Sequence, residues 1–298
     1  MNAREEGFLL LSSTLGNPER KILTTAQLRT LAQRVAAAER VDGNRELTAE
    51  DLRAMGYGTE MAERILNLLS DLPLLRRYHA KGWQADCSPI TRVSQGYPLV
   101  LRKRLGLDSP GVLWARGDLS LLDKPKISLV GSRDIGRPNA EFAIAVGREA
   151  ARQGYVLVSG NARGADRMAQ KACLDAGGQI IIVVADELMK QKQTPNVLYL
   201  SEEGYDSAFT SPRALSRNRV IHALSEKVFV AQSALKLGGT WSGTVRNLHE
   251  SWTPVFCFRD GSEASVQLEQ MGAELIGIGD LADFSTLSDG MVDLFSKY

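Results

Sequence analysis

The chain has 298 residues, 36 Lys and Arg against 35 Asp and Glu, and 44% hydrophobic residues, which suits one large domain or two ordinary ones with a sizeable core. No apolar run reaches about 18 residues, excluding a transmembrane helix, and Met1–Glu6 lack a signal-peptide pattern. Cys87, Cys173 and Cys257 stand far apart, as do His79, His222 and His249, so reduced, buried thiols in a cytoplasmic protein are expected, with no zinc site and no cofactor.

Residues 1–72 read as a helical N-terminal domain. Leu23, Leu28, Leu31 and Val35 recur at helical spacing. Thr48 precedes Asp51 by three residues, close to a capping box. Gly56-Tyr57-Gly58 breaks the chain, and Thr59 is expected to cap a helix running through Ile65, Leu68 and Leu69. Short helices around a Gly-containing turn occur in helix-hairpin-helix and sterile-alpha-motif-like modules. A helical cap packed on the main domain fits the pattern equally well. Residues 73–125 read as a basic connecting region, with Arg76-Arg77, Lys81, Arg92 and Arg102-Lys103-Arg104. The last run suits a solvated helix face, or nucleic-acid contact.

Residues 126–298 alternate strands and helices. Strands are expected at 127–130, 155–158, 180–184, 227–230, 255–258 and 274–278, with 197–200 a short strand or a helix turn. Helices are expected at 138–153, 164–176, 217–225, 242–250, 263–271 and 284–296. The alternation implies an α/β fold with a doubly wound, mostly parallel sheet.

The polar residues following these strands share one character. Strand 127–130 leads into Gly131-Ser132-Arg133, and strand 155–158 into Ser159-Gly160-Asn161-Ala162-Arg163-Gly164. Strand 227–230 leads towards Lys236 and Gly238-Gly239-Thr240, and Ser216-Arg217-Asn218-Arg219 opens a helix. In an open α/β sheet, ligands bind outside the carboxyl ends of the strands. Gly permits close backbone approach, Arg favours phosphate, and a helix N-terminus attracts anions. Residues 126–259 carry 17 basic against 12 acidic residues, whereas residues 260–298 carry 1 against 8. The basic excess coincides with the motifs, which suits a polyanion site, as it also suits a solvated surface.

Neither the P-loop pattern nor Gly-x-Gly-x-x-Gly is present. No catalytic set emerges: no His adjoins a strand end, His222 reads as packed, and Asp166, Asp186 and Glu250 show no sign of converging. Asp166 reads as a helix-capping residue. Trp241 and Tyr199 are the candidates for stacking a base.

These motifs resemble the DNA-processing protein A (DprA, or Smf) family. The likeness rests on Val130-Gly131-Ser132-Arg133, Ser159-Gly160-x-Ala162-Arg163-Gly164-x-Asp166, Gly177-Gly178 and Arg217-Asn218-Arg219-Val220-Ile221. Tyr97-Pro98 and Leu113-Trp114-Ala115-Arg116-Gly117 add to it. The resemblance implies an extended Rossmann-like fold, single-stranded DNA as ligand, a homodimer, and delivery of a RecA-type recombinase to DNA during transformation. It carries over a nucleic-acid site of Ser132, Arg133, Ser159, Gly160, Arg163, Asn218 and Arg219. The strand-end reading adds Gly164, Lys236, Gly238, Gly239 and Thr240. The chain departs from the family at Ala165, at Gln232-Ser233, at Leu237-Gly238-Gly239-Thr240-Trp241 and at Met189-Lys190-Gln191-Lys192.

Two other functions fit the pattern. Gly238-Gly239-Thr240 resembles the phosphate loop of nucleotide phosphoribohydrolases on a related fold, which would make this a nucleotide sensor or a hydrolase. An adaptor for a protein partner would use the acidic stretch 260–298 and the helical N-terminus.

Overall fold

The structure, a computed structural model, describes residues 1–38 and 46–287. The helical N-terminal unit contains α1 (Ala3–Ser12), α2 (Thr25–Ala37), α3 (Ala49–Ala54) and α4 (Thr59–Ser70). Thr48 caps α3 through a capping box with Asp51, as its spacing predicts. Thr59 is instead the first residue inside α4, with Gly58 as the cap. Leu11, Leu31, Leu52, Ile65 and Leu68 close a small core. Buried Arg20 ties it together, donating to the carbonyls of Leu10, Ser13 and Leu68 and pairing with Asp71.

The next stretch holds α5 (Leu72–Gln84), β1 (Ser88–Thr91), α6 (Leu99–Leu105) and β2 (Val112–Gly117). Residues expected only to connect thus supply two antiparallel strands, with β2 pairing onto β6 (Val197–Ser201). Arg104 of the basic run donates to the carbonyls of Ala223 and Ser225, so it is tied down rather than solvated.

Along the rest of the chain lie β3 (Lys126–Val130), α7 (Arg137–Arg152), β4 (Val156–Ser159), α8 (Ala165–Asp175) and β5 (Gln179–Val183). After β6 come α9 (Ser211–Ser216), α10 (Asn218–Leu224), β7 (Lys227–Val230), α11 (Gly238–Glu250), β8 (Val255–Phe258), α12 (Glu263–Gln270) and β9 (Glu274–Ile276). The nine strands form one sheet in the order β1-β2-β6-β5-β4-β3-β7-β8-β9, parallel from β6 to β9.

Alternation along each strand divides the core between two faces. Ile127, Leu129 and Leu157 pack with Phe142, Val146, Ala169 and Cys173 of α7 and α8. Val156, Val158, Val228 and Val230 pack with Leu101, Val220, Leu224 and Trp241 of α6, α10 and α11. Helices α7 and α8 touch backbone to backbone: a Cβ on Gly147 would stand 2.1 Å from the Ala169 carbonyl oxygen. All three cysteines are buried.

Three boundaries differ from expectation. The helix expected at 217–225 is α10, Asn218–Leu224, and a further short helix, α9, precedes it with Arg217 at their junction. Helix α11 begins at Gly238 rather than residue 242, so Gly238, Gly239 and Thr240 form its first turn. Where a helix was expected from residue 284, Phe284–Thr286 form a 3-10 turn, with Phe284 fully buried against Phe229 and Tyr155. The remainder of that expected helix, 288–296, lies outside the described residues.

Candidate functional site

The strand order reverses between β3 and β7, which both leave the sheet at the same edge. Such a switch point opens a crevice, because the connections from the two strands depart in opposite directions. Gly131, Ser132 and Arg133 follow β3 into it. The N-terminus of α11 closes its other side.

The two strand-end loops are fitted to one another through glycine. Ser132 donates its N–H to the Gln232 carbonyl at 2.9 Å, and its own carbonyl accepts from Ala165 at 3.2 Å. A Cβ on Gly131 would stand 2.5 Å from that of Ala165. Gly164 adopts φ +85°, and a Cβ there would lie 2.4 Å from the carbonyl oxygens of both Ser132 and Arg133. These glycines therefore let the loops approach each other.

Beneath the second loop lies a buried polar network. Ser159 is fully buried and its hydroxyl accepts from Gln170, so it presents nothing at the surface. Asp166 lies in the first turn of α8 but does not cap it: it accepts from the N–H groups of Gly160 at 2.9 Å and Ala162 at 3.2 Å and so holds the preceding loop. Burial raises the Asp166 pKa, opposed by Arg217 and by those two hydrogen bonds. Arg217 lies against Gly160 and is only 9% exposed. Its Nε and Nη1 have no hydrogen-bond partner.

The other two members of that motif serve the walls. Arg219 pairs with Glu202 and donates to the carbonyls of Asp108 and Ser216. Burial raises the Glu202 carboxyl to about 7 even with Arg219 beside it. Asn218 donates to the Gly239 carbonyl at 3.0 Å, joining α10 to α11.

Two adjoining clefts result. One, of about 460 Å³, lies between the end of β3 and the start of α11, and Gly238, Gly239 and Thr240 line it. The other, of about 530 Å³, lies over the ends of β4 and β5 and is lined by Gly160, Arg163 and Arg167. Arg133, Arg217 and Phe209 line both. Arg133 is exposed. Arg163 is also exposed and pairs with Asp134 at 2.6 Å. Lys236 is exposed at φ +56° in the loop leading to Leu237 but lines neither cleft.

The aromatic candidates need correcting. Trp241 and Tyr199 are each 8% exposed and belong to the core. Phe209, 55% exposed between the clefts, is the aromatic available to a ligand. Sequence reasoning missed Phe209, Arg167 and the inward role of Arg217. A signal for the last was present: Arg217 stands one turn before buried Ile221, on the packed face. Phe209 belongs to no helix or strand period and carried no such signal.

Burial lowers the His222 pKa to about 4, so the ring is neutral and packed. Among the described residues no cluster of His, Cys, Asp and Glu is fit to hold a metal ion. Nor is any described helix long and apolar enough to cross a membrane.

Comparison with known proteins agrees with this geometry. The DNA recombination-mediator protein A family matches residues 88–284. DNA processing protein DprA of Bacillus subtilis is 30% identical over 211 residues, spanning 67% of this chain and 70% of its own. The Streptococcus pneumoniae DprA is 31% identical over 194 residues, 59% of this chain and 68% of its own. The X-ray structure of DprA from Streptococcus pneumoniae superposes with a TM-score of 0.65 at 25% identity, covering 87% of this chain and 96% of that one. DNA processing protein A from Helicobacter pylori, a single-stranded DNA binder, superposes at 0.55 with 26% identity, covering 66% and 94%.

Proposed function

The chain belongs to the DNA recombination-mediator protein A family, and from that premise we propose that it binds single-stranded DNA along the two clefts at the switch point. It acts in transformation and recombination as a DprA/Smf protein. The observation that carries the site is Arg217: a nearly buried guanidinium whose Nε and Nη1 lack partners, in the wall common to both clefts. Asp166 and Glu202 offset its charge, but buried N–H groups without acceptors are costly, and a phosphate oxygen would satisfy them with charge-assisted hydrogen bonds.

Around it, exposed Arg133, Arg163 and Arg167 follow the backbone of the strand, and Phe209 stacks a base. The first turn of α11, Gly238–Thr240, offers backbone N–H groups, and Ser132, whose own N–H is taken by Gln232, offers its hydroxyl. Ser159, Gly160, Gly164, Asn218 and Arg219 hold these groups in place. Family membership favours a strand over a free nucleotide. The role is binding rather than catalysis, in the cytoplasm where DNA is processed. The protein works as a homodimer and passes the strand to a RecA-type recombinase.

Titration of a labelled oligothymidine at several salt concentrations tests the binding. Tight binding at low salt that weakens log-linearly with salt is expected. Folded protein that fails to bind at low salt would overturn the reading. Sedimentation, with and without a recombinase, tests the assembly.

A further inference from the structure

Arg213 and Arg217 are joined by a hydrogen bond from the Arg217 N–H to the Arg213 carbonyl, and both are nearly buried. Their side chains are in opposite states. Arg217 keeps two nitrogens without partners and lines both clefts, whereas Arg213 lines neither. Every nitrogen of the Arg213 guanidinium is engaged. Nη1 donates to the carbonyls of Ala185, Ser207 and Ala208, Nη2 donates to the Ser201 hydroxyl at 3.2 Å, and Nε pairs with Glu203 at 2.9 Å.

The acceptors identify what this clamp holds. Ala185 follows β5 and lines the cleft over β4 and β5. Ser207 and Ala208 immediately precede Phe209, and Thr210 after it caps α9 by accepting the Arg213 N–H at 3.2 Å. One arginine thus ties the backbone on both sides of Phe209. The start of the same loop is anchored from α5: Tyr205 is buried and donates to the Tyr78 carbonyl, and Tyr78 donates to Asp206 at 2.6 Å. Phe209 is left as the exposed ring of a fixed loop. Ordering residues 202–210 only on arrival of the strand would consume much of what one stacked base returns.

We propose that Arg213 is a positioning residue that holds Phe209 in place to stack a base before the strand arrives, and that it contacts no phosphate. This deepens the single-strand reading above and rests on it. Two buried arginines in consecutive turns then do different work: Arg217 meets the strand, and Arg213 spends all its donors on the protein.

Fluorescence anisotropy at several salt concentrations, with an oligothymidine and an abasic oligomer of equal phosphate number, separates stacking from charge. Arg213→Met should weaken binding of the oligothymidine about tenfold, leave the abasic oligomer within about twofold, and keep the salt slope. It should also melt lower, because buried carbonyls lose their donor, so binding is read well below the midpoint. In the Phe209→Ala background the same change should add little further loss. Arg213→Lys, whose ammonium carries three N–H groups for the carbonyls of Ala185, Ser207 and Ala208, should recover most of the affinity. An Arg213→Met protein that binds both oligomers like the parent, or weakens both alike, would overturn the proposal and leave the single-strand reading intact.

A second measurement needs no variant. Chymotrypsin should cut the free, unaltered protein after Phe209 only slowly, because the loop must first detach. Rapid cleavage there would overturn the clamp even if Arg213→Met does not fold. Unchanged oligothymidine binding by Phe209→Ala would remove the stacking role and the proposal with it. Binding of neither oligomer at low salt would overturn the single-strand reading itself.

Discussion

A methyl group on Gly160 would stand 1.5 Å from Nη1 of Arg217. The glycine that follows β4 is therefore required by a side chain arriving from the junction of α9 and α10, about 57 residues further along the chain. The second motif and the third are one structure, and the unpartnered guanidinium in the wall of both clefts depends on the absence of a single Cβ.

Gly160→Ala should therefore displace Arg217 and weaken binding of single-stranded DNA nearly as much as Arg217→Ala. Overpacking should also cost about 1–3 kcal/mol of stability. In the Arg217→Ala background the alanine at 160 should add little. A double-mutant cycle by anisotropy and thermal melting checks this, and additive effects would contradict the coupling.

Arg133 is exposed and has no fold to support. Arg133→Ala should leave stability within about 0.5 kcal/mol of the parent. It should weaken strand binding and reduce the slope of log K against log salt by about 0.7, one phosphate's share on a single strand. Binding isotherms at four or five salt concentrations measure both.

Phe209 and Trp241 should separate cleanly. Phe209→Ala should cost roughly tenfold in strand affinity, with melting temperature and salt slope unchanged. Trp241→Ala should cost about 3–5 kcal/mol of stability, because that ring is part of the core. Calorimetry alongside anisotropy distinguishes the two outcomes.

Arg163 is held by Asp134 in an exposed pair of the kind worth at most about 1 kcal/mol. Asp134→Asn should release Arg163 and remove a negative charge from the rim, strengthening binding by up to about fivefold at low salt and less at high salt. Weakened binding would place Arg163 outside the path of the strand.

Glu202 gives a pH signature. Its folded pKa of about 7 lies above the ordinary carboxyl value of 4.5, so between those two values the folded state holds the proton more tightly than the unfolded state. The Glu202 contribution to stability is thus largest below about pH 4.5 and declines as pH rises to 7. Glu202→Gln should remove that decline. The difference between parent and variant melting temperatures across pH 4.5–7 measures it, and a flat difference would refute the assignment.

The sequence by itself determined the alternation of strands and helices, and with it the sheet edge to which Arg133 and Arg163 were assigned. Short continuous apolar runs and capping signals are local, and they operate within a few residues. The motif order carried the family for the same reason. It did not determine that residues 88–117 add two antiparallel strands to the sheet, because pairing with β6 is a contact across more than 80 residues. Nor did it determine which way each motif residue turns. Arg217 goes inward, while Arg219 is taken by Glu202 and Ser159 by Gln170, since each partner lies on another element. Glycines read as room for a ligand turned out to be room for neighbouring backbone or for a guanidinium. Only the packed structure decided which cations remain without partners, because pairing is settled by side chains that meet in space and not by their order along the chain.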